Sequence, residues 1–350
     1  MAAFENAAFD AHERVVFCHD AGSGLHAIIA IHSTALGPAA GGCRLWRYAN
    51  DDDALTDVLR LSQGMSYKNA MAGLEFGGGK AVIMKSDSFD GSPALFEKFG
   101  DCVEELQGRY VTAEDVGMSV AIMEMIARRT KYVSGLPLKA GRAGGDPSPK
   151  TAFGIFRGIE AAVRHRRNGA DVAVLTVAVQ GVGNVGYHLC RYLHEAGASL
   201  VVADIDADKV ARVVQEFSAR TVSFERILDQ QADVIAPCAL GAVFNEQNIP
   251  QIGAEIIAGG ANNQLTTDED GLRLKKAGIL YAPDYVINAG GIINVACEYY
   301  GNASDADVDE MVEAIGPRLT QIFEESERTG EPTNAIADRQ ARRIIAEGRS

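Results

Sequence analysis

The 350 residues carry 33 lysines and arginines against 47 aspartates and glutamates, a net charge of −14 that would repel a nucleic-acid backbone or an anionic membrane surface. Hydrophobic residues make up 47% and charged residues 23%, as in ordinary folded proteins, and at about 100 to 200 residues per domain the length predicts two domains. Six scattered cysteines without a C-x-x-C pair predict no metal site and no disulfide framework. No apolar run approaches the roughly 18 residues of a membrane span, and MAAFENAAFD lacks the pattern of a signal peptide, so the cytoplasm is the expected address.

In chain order, ERVVFCH and LHAIIAIHS alternate as strands do. DALTDVLRLSQGMSYKNAMAGL follows with apolar residues at Leu55, Val58, Leu59 and Leu61, a helical pattern that weakens at Gly64. AVIMKS after Lys80 reads as another strand. Residues 139–150 concentrate glycine and proline, and Ser148-Pro149 offers an N-cap and first-turn proline, which places a domain boundary and a plausible hinge there. Phe156, Ile159 and Val163 then share one face of a helix.

Beyond it, DVAVLTVAV, SLVVAD, ADVIAP and AEIIAG read as strands separated by helices through Leu189 and Leu193 and through Val210 and Val214. Short β-branched runs alternating with helices predict parallel strands buried on both faces. The expected fold is therefore α/β: a mixed substrate domain over residues 1–148 and a doubly wound Rossmann domain over 149–331. A C-terminal helix over 332–350 could pack back onto the first domain.

GVGNVG follows the strand ending at Val179 and opens a helix, which puts Gly181, Gly183 and Gly186 in G-x-G-x-x-G register with Val182, Asn184 and Val185 between them. Gly181 permits the tight turn, Gly183 lets backbone approach a pyrophosphate, and Gly186 lets helix and strand pack closely. Asp204 ends the next strand, where a ribose 2′-hydroxyl would need an acceptor; Asp206 follows and no cation appears before Lys209, so NAD is expected over NADP. The plain alternative is a structural turn with Asp204 as a surface acid.

In the first domain Lys68 in GMSYKNA, Lys80 after the glycine run and Asp115 in TAEDVG stand out. Singly they read as a solvated helix residue, a surface charge beside a turn and a helix N-cap. Together they offer a cation for a substrate carboxylate and a base for a carbonyl or imine centre. A lysine crowded by another and partly desolvated becomes a base near neutral pH. All seven histidines lie at or before His194, so the last third of the chain has none to supply.

LGPAAGGCR, GMSYKNAMAGL, GGGKAVI, TAEDVG, GDPSPKTAFG, QGVGNVG, APCALGAV, GGANNQL and ILYAPDYVINAGGIINV together resemble the glutamate, leucine, phenylalanine and valine dehydrogenases, with TAEDVG and GDPSPKTA most similar to the short leucine-type members. The resemblance implies NAD-dependent reversible oxidative deamination of an L-amino acid to its 2-oxo acid and ammonium, at an active site in the cleft between the domains. It assigns the substrate carboxylate to Lys68, activation of water to Lys80 and proton transfer at the amino nitrogen to Asp115. Gly41 and Gly42 would admit the substrate; Thr151, Cys238, Ala239, Asn262 and Asn288 would meet cofactor, with Asn262 also meeting substrate. A homo-oligomer is implied by the same resemblance.

The side-chain pocket of the family corresponds here to Ala40, Met65, Ala113, Ile292 and Val295, all apolar. A γ-carboxylate would be buried there without a partner, which disfavours glutamate. Ala40 opens space for an aromatic side chain, whereas Ala113 and Ile292 narrow the site, and branched-chain substrates are favoured over phenylalanine or other aromatic ones. A 2-hydroxy-acid dehydrogenase would need a histidine donor that the pattern does not supply, and a non-catalytic NAD sensor would have no use for both lysines and the aspartate.

Overall fold

Gly77, Gly78 and Gly79 do not turn the chain ahead of a strand; they begin one, and Lys80 lies inside it. The computed structural model describes residues 3–86, 89, 91–137, 144–167, 169–239, 241–301 and 303–348. Residues 139–143 of the expected hinge lie outside the described residues. Compact packing divides the chain into a first unit, Met1–Gly145 with Val295–Asp305 and Ala341–Ser350, and a second, Asp146–Asn294 with Ala306–Gln340.

In the first unit lie β1 (Arg14–Asp20), β2 (Leu25–Ser33), β3 (Ala39–Trp46), α1 (Asp51–Ala72), β4 (Gly77–Met84), α2 (Pro93–Glu104), β5 (Tyr110–Glu114) and α3 (Val120–Ala127). The sheet order is β1-β2-β4-β3-β5, antiparallel through β1, β2 and β4 and parallel through β4, β3 and β5. Strand alternation sorts its residues onto two cores. Ile29, Ile31, Cys43, Leu45, Ala81 and Ile83 pack with Phe96, Phe99, Met123 and Ile126, while Ile28, Ala30 and Val82 pack with Ala54, Leu55, Val58 and Leu59 of α1. Lys80, two residues before Val82, and Arg44, paired with Val82, therefore lie on the α1 face.

Helix α1 is capped by Asn50, whose side chain accepts from the Asp53 amide, carries three aspartates in its first turn and ends at Gly73 with φ +71°. It does not weaken at Gly64. One interior glycine costs about 1 kcal/mol, and Leu59, Ser62, Ser66 and Ala70 keep the helix buried on both sides of it.

The second unit contains α4 (Ser148–Arg166), β6 (Thr176–Gln180), α5 (Asn184–Glu195), β7 (Ser199–Ala203), α6 (Ala207–Phe217), β8 (Arg220–Thr221), β9 (Val234–Pro237), β10 (Ile256–Ile257), α7 (Glu269–Lys276), β11 (Leu280–Tyr281) and α8 (Asp284–Ile287). After α9 (Gly290–Tyr300) come α10 (Asp305–Glu313), α11 (Ile315–Thr329) and α12 (Thr333–Glu347). The sheet runs β11-β10-β9-β6-β7-β8, parallel throughout, so the strand order reverses at β6 and β9. Ligands of such sheets lie beyond the carboxyl ends of the strands at that reversal.

Five expectations are corrected. The strand anticipated over DVAVLTVAV is a 3-10 turn at Val172–Val174 followed by the shorter β6, because the Asp171 side chain accepts from the Ala173 amide and winds the backbone there. Ser148 is the first residue of α4 rather than its cap, with Asp146 Oδ1 taking its amide at 2.9 Å. The division falls after Gly145 instead of after 148. The stretch Val295–Asp305 belongs with the first unit, since Tyr300 donates to the Glu75 carbonyl at 2.7 Å and Glu298 accepts from the Gly135 and Leu136 amides. Only the end of α12, from Ala341, joins that unit, where Arg342 pairs with Asp10 at 3.1 Å.

Candidate functional site

On the α1 face of the first sheet, Lys80 Nζ lies 2.7 Å from Asp115 Oδ2, and Lys80 is only 6% exposed, far from a surface charge. Asp115 follows β5 and is no helix cap; α3 is capped by Ser119. Glycines make room for the pair. A Cβ at Gly42 would stand 2.7 Å from Asp115 Cβ, and one at Gly41 only 1.9 Å from the Gly79 carbonyl oxygen and 3.0 Å from Met65 Cγ. Gly42 pairs with Ala113 and Ala40 with Gly78, so those positions share the neighbourhood. Ala40 and Ala113 are buried; Met65 and Lys68 are half-buried on α1. Asn69 fixes the strands beside them, donating to the Gly77 carbonyl at 2.6 Å.

Arg44 completes the cluster. Its Nε is 3.5 Å from Asp115 Oδ2, and its Nη1 donates to Asp57 Oδ2 at 2.9 Å, which also accepts the Tyr48 hydroxyl at 2.6 Å. Burial pushes the Asp115 carboxyl up, but the charge and hydrogen bond of Lys80, with Arg44, outweigh it and hold Asp115 below the usual carboxylate range. Arg44 is not among the residues that the motifs single out. Its signal was the strand period: two residues after Gly42, on the same face.

In the second unit Gly181 has φ +88° directly after β6, and a Cβ on Gly186 would stand 2.0 Å from the Gly181 carbonyl oxygen. Gly183 caps α5 without a side-chain bond and its absent Cβ faces open space, so amides at the helix start and bare backbone are available to an anion. Val182 is buried, Asn184 exposed and Val185 half-buried. The Val182 amide donates to Asp204 Oδ2 at 2.7 Å and the Asp206 amide to Asp204 Oδ1 at 3.0 Å, fixing the carboxylate beside the loop. These residues fit a dinucleotide at the strand-order reversal.

Cys238 and Ala239 follow β9 across that reversal; the Cys238 amide donates to the Gln180 carbonyl at 2.7 Å, and Ala239 is what a Cβ on Gly181 would strike, at 2.8 Å. Asn288 donates to Asn262 Oδ1 at 2.7 Å and to the Gly260 carbonyl at 3.1 Å, so the two asparagines are brought together. Thr151 donates to the Pro147 carbonyl at 2.9 Å, beside Gly291. Ile292 and Val295 are one helical turn apart on α9 and half-buried; the unit boundary passes between them. Among the described residues no cluster of histidine, cysteine or acid could hold a metal ion, and no helix is long and apolar enough to cross a membrane.

The family model for the Glu/Leu/Phe/Val dehydrogenase dimerisation domain matches residues 12–132, and that for glutamate/leucine/phenylalanine/valine dehydrogenase matches residues 202–346. The glycine loop falls between these spans and rests on its own geometry. Leucine dehydrogenase of Geobacillus stearothermophilus is 49% identical over 334 residues, 95% of this chain and 90% of its own. Phenylalanine dehydrogenase of Bacillus thermotolerans is 43% identical, with 97% and 90% covered. The crystal structure of L-tryptophan dehydrogenase from Nostoc punctiforme superposes with a TM-score of 0.84 at 42% identity, covering 96% of each chain. With such likeness running through both units, the chain belongs to the Glu/Leu/Phe/Val dehydrogenase family of amino-acid dehydrogenases, oxidoreductases that use a nicotinamide cofactor and act on a CH–NH2 group.

Proposed function

We propose that the protein catalyses reversible oxidative deamination of branched-chain aliphatic L-amino acids with NAD and water, giving the 2-oxo acid, ammonium and NADH. The observation that carries this reading is the buried Lys80–Asp115 pair at 2.7 Å beside Gly41 and Gly42, where any side chain would collide with the Gly79 carbonyl or with Asp115 itself. Lys68 holds the substrate carboxylate. Bound NAD would take hydride from the α-carbon, the one step no side chain here can perform. Lys80, in its neutral form, takes a proton from the water that adds to the resulting iminium carbon, and Asp115 carries a proton to and from the nitrogen. The 2.7 Å contact puts the two groups within reach of proton transfer.

The cofactor lies along Gly181–Gly186, with Thr151, Cys238, Ala239, Asn262 and Asn288 toward its nicotinamide end. Asp204 accepts from the ribose hydroxyls, and Asp206 stands beside it with Lys209 already paired to Asp206 at 3.2 Å, so a 2′-phosphate would meet negative charge. NAD is therefore the cofactor rather than NADP. A cytoplasmic homo-oligomer fits the acidic composition and the dimerisation domain of the family.

A second reading, aromatic substrates, is favoured by the small side chain at Ala40 and by the likeness to phenylalanine and tryptophan dehydrogenases. The test is NADH consumption with ammonium and 2-oxoisovalerate, 2-oxoisocaproate, phenylpyruvate or indolepyruvate. Branched oxo acids should be aminated fastest. Faster reaction of phenylpyruvate establishes the second reading, and NADH binding without amination of any oxo acid ends both.

A further inference from the structure

Asp115 is gripped from two sides, and only one of its partners has a part in the chemistry so far. Lys80 and Arg44 approach the same oxygen, Oδ2, at 2.7 and 3.5 Å. Arg44 is itself anchored. Asp57, in the second turn of α1, takes its Nη1, and Tyr48, in the connection between β3 and α1, spends its hydroxyl on the same Asp57 oxygen. The guanidinium is thus tied to α1 through Asp57, itself steadied by Tyr48, before it reaches Asp115.

The need for a second cation follows from what is asked of Lys80. To take a proton from water it must be neutral, and a neutral amine no longer balances the Asp115 carboxylate. Leaving a buried charge uncompensated is costly. Arg44 cannot be deprotonated in a protein, and it meets the two carboxylates through different nitrogens, Nη1 bonding Asp57 and Nε standing 3.5 Å from Asp115 as an ion pair.

We propose that Arg44 is a positioning residue, held by Asp57 and Tyr48, that keeps the Asp115 carboxylate in place and ionised while Lys80 is neutral. This rests on the roles given to Lys80 and Asp115 above. Asp115 faces Lys80 from β4 and Arg44 from β3, with Asp57 of α1 behind Arg44, while the Cys43 thiol and the Tyr110 hydroxyl lie buried with the core of the other sheet face. Burial pushes the thiol and the phenol up, so neither charges near neutral pH. Burial also pushes Asp115 up, and the two cations overcome it. Without Arg44 the folded Asp115 pKa rises. Because ionised Asp115 is the active form, the acid limb that Asp115 contributes to kcat/KM, separate from the one due to the Lys80 amine, moves to higher pH.

The experiment has two arms on the full chain. In the kinetic arm, Arg44→Met moves the acid limb up by about one pH unit and lowers kcat roughly tenfold to a hundredfold, with KM changed less. Arg44→Lys restores part of both, and Asp57→Asn gives a smaller shift in the same direction. In the second arm, carbon-13 NMR titration of the Asp115 carboxyl, assigned with Asp115→Asn, shows the same rise in Arg44→Met. A merely structural Arg44 would lower thermal stability and leave both titrations where they are, and that result overturns the proposal. If the wild-type protein aminates no oxo acid, the reaction reading fails while the NMR titration still decides the role of Arg44. If Arg44→Met does not fold, the titrations of Arg44→Lys and Asp57→Asn decide it.

Discussion

The Lys80–Asp115 cluster and the Gly181–Gly186 loop differ in what holds them. In the first, charged side chains from β3, β4, α1 and the end of β5 fix one another, and glycine serves only to clear space. In the second, the working surface is backbone. Gly181 bends the chain with φ +88°, Gly186 lets the helix close on the turn, and one carboxylate, Asp204, pins the loop through the Val182 amide. A site of the first kind should tolerate modest changes of shape and fail on loss of charge, and the second kind should do the reverse.

The largest expected effect separates them most sharply. Lys80→Ala should lower kcat by about a thousandfold or more, since the base is removed and Asp115 keeps only Arg44, while NADH affinity measured by fluorescence titration stays within a few-fold of wild type. Equal loss of NADH binding would mean that the two sites do not separate. Gly186→Val inverts the test. A Cβ there would lie 2.0 Å from the Gly181 carbonyl oxygen, so the turn must open, and NADH affinity should fall by roughly a hundredfold with no change of charge anywhere. Normal NADH binding by this variant would break the claim that the loop works through its backbone.

A smaller effect is expected from the one charge that the loop does use. Asp204→Asn keeps an oxygen for the Val182 amide and removes the negative charge. The ratio of kcat/KM for NADPH to that for NADH should rise by about tenfold, and an unchanged ratio would remove Asp204 from cofactor choice.

Legibility follows the same divide. The second unit is readable because β7 and β9 are β-branched runs, and each must be apolar on both faces in a covered parallel sheet. In the first unit β3, AAGGCRLW, and the start of β4, GGGK, look like loop, because glycine and alanine carry no strand preference. They are strands since their neighbours approach too closely for any side chain: a Cβ at Gly78 would stand 2.1 Å from the Ser66 amide nitrogen on α1. Lys68, Lys80 and Asp115 are visible through their motifs, but the pairing of Lys80 with Asp115 is not, and neither is Arg44. Both depend on β3 lying between β4 and β5, a register that only the packed sheet specifies. The return of Val295–Asp305 to the first unit is hidden for the same reason, being settled by Phe76 stacking on Tyr300 from far along the chain.

The smallest effect asks whether shape matters at all in the site built from charge. Ala40 is 1% exposed, opposite Gly78 and Val111 in the sheet, so burial alone does not distinguish a pocket wall from ordinary core. Ala40→Leu does. In a pocket wall, the added methyl groups take space from the substrate, and discrimination of about 1 to 2 kcal/mol is what an apolar pocket can supply. The ratio of kcat/KM for 2-oxoisocaproate to that for phenylpyruvate should then rise by roughly tenfold, with thermal stability lowered only slightly. In plain core, the larger side chain overpacks the sheet, so the melting temperature falls and both substrates lose together at a constant ratio. Lys80 and Asp115 are untouched in either case, so a changed ratio reads the pocket and not the chemistry beside it.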